Sequence, residues 1–202
     1  MLLGAEDSQL VLIDYQERLM PALFQGDACL ANAMRLAQAA HALSVPVWGT
    51  EQNPGKLGSN PAAMKALCKQ TLAKMQFSAC EEGLVEWLRP ELKNKPAGNA
   101  RSLPKHLQKN APADEEGRGT IVLAGCETHV CLMQTALDLL QEEFDVWVVT
   151  DACSSRSERN RDAAFDRLAG NGAELVTTEM VAFEWLRSAE HPFFRETLAL
   201  IK

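Results

Sequence analysis

The sequence lacks the marks of several large classes. No run approaches the ~18 apolar residues of a membrane span. Basic residues are in the minority: 20 Lys and Arg against 27 Asp and Glu give a net charge of −7. Bulk attraction to nucleic acid is therefore not expected. The opening MLLGAEDSQL holds two acids and no Lys or Arg. That is the wrong charge for a signal or transit peptide, and a cytoplasmic location is expected. The six cysteines form no CxxC pair, so most are expected as thiols. Neither GxGxxG nor GxxxxGK occurs, which removes the nucleotide fingerprints, and GxSxG is absent too. His41, His106, His129 and His191 lie far apart with no HExxH, so no metal site and no cofactor are expected.

What remains is an ordinary globular composition of 202 residues, 47% apolar. It is read as a single domain, 1–202, large enough to bury a core without disulfides or metal. Short apolar runs near residues 9–14, 45–50, 71–74, 120–125, 144–150 and 174–176 read as strands. Between them, helical periodicity appears near 28–43, 80–88, 129–141, 158–169 and 179–187, with Pro192 opening a terminal helix. Gly170-Asn171-Gly172 is a helix stop. This alternation predicts βαβ units: a three-layer α/β/α fold with a doubly wound parallel sheet. The stretch 90–119 breaks the pattern. It holds Pro90, Pro96, Pro104 and Pro112, with six basic residues and one acidic between Arg89 and Asn110. It is read as a mobile insertion, with a lid or a subunit contact as the other readings.

In open α/β sheets ligands bind outside the carboxyl ends of the strands. The first predicted strand ends at Asp14 and the third at Lys74. The fourth runs into the turn Gly125-Cys126-Glu127-Thr128-His129-Val130-Cys131, which opens a helix. A carboxylate, an ammonium and a thiol thus converge on one edge. The helix N-terminus and the cation favour a Cys131 thiolate, while the Asp14 charge opposes it. Asp14 is suited to take the thiol proton and return it to a leaving amine, with backbone N–H groups of the turn stabilising an oxyanion. Each residue alone has a plainer reading: a buried small hydrophobe, a strand-end cap, a solvated lysine. Arg156 is read first as a salt-bridge residue and second as an anion binder.

The stretches LVLIDYQERLMPAL (10–23), TEQNPGKLG (50–58), LAKMQFSA (72–79), IVLAGCETHVCLMQTALDLL (121–140), VVTDACSSRS (148–157) and AEHPFFRETLALIK (189–202) resemble the isochorismatase-like cysteine hydrolases. The last two are especially similar to the isochorismatase domain-containing proteins. The resemblance implies a six-stranded parallel sheet and a catalytic triad of Asp14, Lys74 and Cys131. It implies hydrolysis of a small-molecule C–N bond through a thioester. It further implies an oxyanion turn at Glu127 and Thr128 with a non-proline cis peptide between them. Gln52, Phe77 and His129 are read as pocket residues, with a local hydrogen bond at the helix start as the equal alternative for His129. The metal-binding His pair of nicotinamidase members is missing from TEQNPGKLG, so metal and nicotinamide do not carry over. The expected partners are a small-molecule substrate and further copies of the chain, with no nucleic acid and no membrane. Two competing classes share the fold: a catalytically silent binding protein and a redox-sensing thiol protein that uses a low-pKa Cys131.

Overall fold

The computed structural model describes residues 2–89 and 118–201. Six strands form one sheet: β1 (Ser8–Ile13), β2 (Val47–Gln52), β3 (Gln70–Lys74), β4 (Thr120–Cys126), β5 (Asp145–Ser154) and β6 (Glu174–Val176). All neighbours pair in parallel, in the order β3-β2-β1-β4-β5-β6. The chain winds outward from β1 to β3 and then crosses back to start β4 beside β1. The boundary between β1 and β4 is therefore the topological switch point, where doubly wound sheets open a ligand crevice. The fold expected from the alternating pattern is the one observed.

Two apolar layers sandwich the sheet, and alternation within the central strands builds both. Leu10 and Leu12 of β1 join Val122 and Ala124 of β4 in one core; Val11 and Ile13 join Ile121 and Leu123 in the other. The first core packs α1 (Gly26–Ala42) and α7 (Thr178–Leu186); the second packs α4 (Leu84–Leu88), α5 (Met133–Gln141) and α6 (Glu158–Gly170). In α1 the buried Ala33, Leu36, Ala37 and Ala40 fall at helical spacing, and three alanines let the helix lie close to the sheet. Ser157 and Thr177 cap α6 and α7 by accepting the N–H of Asn160 and Met180. The last helix, α8 (Phe194–Ile201), follows Pro192.

Several boundaries differ from the periodicity. The helix expected over 80–88 splits at Gly83, whose φ of 99° breaks it into a 3-10 turn and α4. The stretch after Gln52 holds two short helices, α2 (Pro54–Leu57) and α3 (Ala62–Leu67). The fifth strand runs on to Ser154, because a shift in register at Leu123 and Gly125 lets Cys153 and Ser154 pair with Gly125 and Cys126. The proposed insertion at 90–119 lies outside the described residues except for its end, where Arg118 Nη1 donates to the carbonyls of Ala5 (2.7 Å) and Ser8 (2.9 Å). No described helix is long and apolar enough to cross a membrane.

Gly125 marks the tightest contact of the switch point. A Cβ there would stand 2.5 Å from the Ile13 carbonyl oxygen and 2.6 Å from Ile13 Cβ. Gly125→Ala is expected to force β1 from β4 and cost ~2 kcal/mol or more, roughly 4–8 °C in Tm at this size. Gly170→Ala, where nothing lies within 4 Å, serves as the control and is expected to hold or raise Tm. Equal melting of the two variants would contradict the close-approach account.

The buried and half-buried thiols and the Tyr15 phenol carry a second expectation. All six cysteines are free. Burial pushes the Cys68 thiol up to about 11 and Cys80 to about 12, and holds Cys126, Cys153 and the Tyr15 phenol well above their ordinary values. A raised folded pKa means that the unfolded chain loses its protons first. Stability is thus full below the ordinary thiol pKa of about 9 and declines as pH climbs from there toward 12. Urea midpoints at pH 7.5, 9 and 10.5 should fall in that order; a flat series would refute the linkage.

Candidate active site

Strand register gathers the site. Ile13 pairs with Thr50 on one side and Gly125 on the other, and Gln52 pairs with Lys74. Asp14, Thr50, Gln52, Lys74 and the turn after Cys126 therefore share the carboxyl edge. Asp14 directly follows β1 and adopts a φ of 55°, a left-handed conformation that Asp tolerates better than most residues. Its N–H donates to the Thr50 carbonyl at 3.2 Å.

The Asp14 carboxylate and Lys74 ammonium form a 2.8 Å ion pair with both side chains fully buried. Thr50 Oγ1 donates to Asp14 Oδ1 at 2.6 Å. Lys74 Nζ also donates to Gln52 Oε1 at 2.7 Å and to the Phe77 carbonyl at 3.1 Å. Gln52 is itself fixed: its Nε2 donates to the Met75 carbonyl (2.7 Å), its N–H to Gln16 Oε1 (2.8 Å), and its carbonyl accepts from Gln16 Nε2 (2.9 Å). Cys131 Sγ lies 3.8 Å from Gln52 Oε1.

Cys131 stands in a π-helical turn, Thr128–Leu132, that leads into α5. The expected lowered thiol pKa is not found. Burial, the largest influence, and then the Asp14 charge push the thiol up to about 12, and Lys74 offsets only part of this. The ammonium's field is largely cancelled by its own carboxylate, so the resting group is a thiol.

The cis peptide is one bond earlier than expected. It joins Cys126 to Glu127, not Glu127 to Thr128. The strand ends at Cys126, so the chain reverses there, and Thr128 already belongs to the helical turn. Glu127 is held by Arg156, whose Nε and Nη2 donate to the two carboxylate oxygens at 2.9 and 2.7 Å, while the Arg156 N–H adds a third bond. Arg156 holds the Glu127 carboxyl below its ordinary range. The guanidinium is thus an ion-pair partner within the chain. Thr128 is fully buried, and its hydroxyl has no hydrogen-bond partner among the described residues.

The structure thus brings Asp14, Lys74, Cys131, Gln52 and the Phe77 carbonyl together. His129 is arranged differently: Nδ1 lies 2.9 Å from Ser155 Oγ and Nε2 lies 3.3 Å from Asn160 Nδ2. Both ring nitrogens engage the β5–α6 segment. Thr50, Gln16, Ser155 and Asn160 were not singled out from the sequence. Thr50 was the most accessible of them, as a polar residue at the end of an otherwise apolar strand beside Asp14. Among the described residues no group of three or more His, Cys, Asp or Glu is arranged to hold a metal. A cavity of about 220 Å³ opens at the opposite edge, lined by Asp7, Asp145 and Glu174 among others, but by no thiol or ammonium.

Comparison with known proteins follows the same lines. The isochorismatase domain model matches residues 8–180. The chain is 36% identical over 199 residues to isochorismatase domain-containing protein 2 of Xenopus laevis, covering 98% of this chain and 85% of that one. Among solved structures, the MAR1 ribonuclease of Caenorhabditis elegans superposes with a TM-score of 0.82 at 28% identity, over 100% of this chain and 92% of that chain. The YcaC gene product of Escherichia coli, described as an octameric hydrolase of unknown specificity, gives a TM-score of 0.78 at 24% identity, over 100% and 87%. The chain belongs to the isochorismatase family and has the fold of its hydrolases.

Proposed function

We propose that the protein hydrolyses a C–N bond of a small-molecule amide, with Cys131 as nucleophile. The observation that carries this reading is the buried Asp14–Lys74 pair at 2.8 Å, with the Cys131 thiol sharing Gln52 Oε1 as a neighbour. A fully buried ion pair is costly to keep unless function or specificity retains it. A resting thiol fits an acceptor that takes its proton only as the bond forms. As Sγ attacks the carbonyl carbon, Asp14 accepts the thiol proton, and Lys74 holds the carboxyl group in place. Backbone N–H groups of the 126–131 turn stabilise the oxyanion. Collapse of the tetrahedral species breaks the C–N bond, and Asp14 returns its proton to the departing amine. Water then attacks the thioester with Asp14 as base, releasing the carboxylic acid and restoring the thiol.

Self-assembly is part of the same proposal. Met180, Phe183 and Phe193 are exposed large apolar side chains near the C-terminus, and the YcaC neighbour is described as octameric. Trp185, by contrast, is buried, with its indole N–H donating to Ser8 Oγ, and so belongs to the core.

Cys131→Ser is expected to fold normally and lose turnover by ~10³-fold or more, because a hydroxyl is a far poorer nucleophile at neutral pH. Asp14→Asn or Lys74→Met strands one buried charge, which costs ~3–5 kcal/mol. The double variant Asp14→Asn/Lys74→Met removes both charges. It should recover most of the stability and none of the activity, as read by thermal melting alongside an amide-hydrolysis screen. Wild-type-like turnover in the double variant would exclude the mechanism. Light scattering at micromolar concentration should give a multiple of 22.2 kDa; a monomeric mass would reject the assembly.

A further inference from the structure

The ammonium at the centre of the site has no donor left for a ligand. Lys74 Nζ donates to Asp14 Oδ2 at 2.8 Å, Gln52 Oε1 at 2.7 Å and the Phe77 carbonyl at 3.1 Å, with the Gln76 carbonyl at 3.5 Å. An ammonium carries three hydrogens, and all are taken by the chain. Arg156, the cation beside the nucleophile's turn, spends Nε and Nη2 on Glu127. Each pair is neutral as a unit, so neither offers a net positive charge to a substrate carboxylate.

The segment that wraps Lys74 presents the opposite chemistry. Met75 is 64% exposed and Phe77 51%, yet both are tied into the site through their carbonyls, Met75 to Gln52 and Phe77 to Lys74. Two large apolar side chains thus stand in solvent on a short segment whose backbone is fixed against the catalytic groups. The charge on that segment is negative: Glu82 Oε1 accepts the N–H of Met75 at 2.9 Å and of Gln76 at 3.0 Å. Exposed cations near the turn beyond Gln52 are Lys56 on it and Arg18 on the segment after β1, whose Nη1 donates to the Lys56 carbonyl at 3.0 Å.

We infer that the substrate is an uncharged amide whose acyl side carries an apolar chain, with Phe77 and Met75 as the residues that select it. The inference deepens the hydrolase reading and rests on it. A neutral carbonyl compound enters without bringing an unpaired charge beside the buried Asp14–Lys74 pair, where desolvation is expensive. Its chain then covers apolar surface that is otherwise wet. A substrate with a carboxylate at the end of the acyl chain meets the Glu82 charge and finds the Lys74 donors occupied.

Two matched comparisons test this, one of which needs no turnover. The first pairs hexanamide with adipamic acid, which has the same six carbons and a terminal carboxylate. A kcat/KM ratio of ~10 or more in favour of hexanamide is expected. Phe77→Ala should raise KM for hexanamide ~5-fold or more beyond any change it makes for acetamide. The second comparison alkylates the protein with iodoacetamide or iodoacetate and maps the labelled peptides. The neutral-to-anionic rate ratio at Cys131 should exceed that at half-buried Cys68 ~10-fold, and hexanamide should protect Cys131 where adipamic acid and acetamide do not. If neither amide is hydrolysed but the labelling ratio and protection appear, the hydrolase reading fails and the specificity stands. If amides are hydrolysed with adipamic acid preferred, recognition passes to Arg18 and Lys56 and the inference is overturned. Equal labelling ratios at the two cysteines, or full activity of Phe77→Ala on hexanamide, overturn it as well.

Discussion

The fully buried ion pair between Asp14 and Lys74 sets the terms for everything around it. Neither charge survives removal from water on Coulomb attraction alone; each needs its remaining donors and acceptors satisfied. Thr50 meets the second carboxylate oxygen, and Gln52 with the Phe77 carbonyl meets the other ammonium hydrogens. Gln16 then fixes Gln52 from behind, with bonds to both its N–H and its carbonyl. This explains why β2, an apolar core strand at Val47 and Trp48, carries Thr50 and Gln52 at its end, while Glu51 between them serves Asn60 and Lys65. Thr50 and Gln52 act as part of the pair's solvation shell, built from protein.

The same pair governs the thiol. A lone lysine near Cys131 would favour thiolate, and a lone aspartate would oppose it. Held together at 2.8 Å, they nearly cancel, and burial decides, pushing the thiol up to about 12. In the proposed mechanism the Cys131 thiol therefore stays protonated until a carbonyl arrives. A resting thiolate, by contrast, is the form that oxidants attack. Burial, which favours the protonated Cys131, works against the redox-sensor alternative.

Much of this was legible in the sequence, and the pattern of what was not is physical. Parallel strands buried on both faces leave continuous apolar runs, so 9–14, 45–50 and 120–125 marked β1, β2 and β4 closely. The doubly wound order follows from the alternation, and the rule of carboxyl ends pointed to Asp14, Lys74 and Cys131 on one edge. Register is what the sequence could not supply: that Gln52 faces Lys74, or that Ile13 touches Gly125, depends on strand pairing. The sign of the net effect on Cys131 also escaped, because it needs the Asp14–Lys74 distance. Local backbone events, the split at Gly83 and the cis bond at Cys126–Glu127, leave no periodicity to read.

The turn that carries Cys131 depends on a second set of contacts besides the Asp14–Lys74 pair. One end of the turn grows from β4 and the other passes through the π-helical turn into α5, which leaves the Glu127 side chain and the outer face of the turn to be held from elsewhere. The β5–α6 segment supplies the restraint. Arg156 clamps Glu127, Ser155 Oγ accepts the N–H of His129 and lies within hydrogen-bond distance of its Nδ1, and Asn160 meets its Nε2. The register shift that lets β5 run on to Ser154 delivers this segment beside the turn. Donors aimed at a developing oxyanion act only when their positions are fixed before the reaction. The extra length of β5 thus reaches the carboxyl edge, and a strand four removed from that of Lys74 in the sheet supplies the segment that holds the Cys131 turn in place.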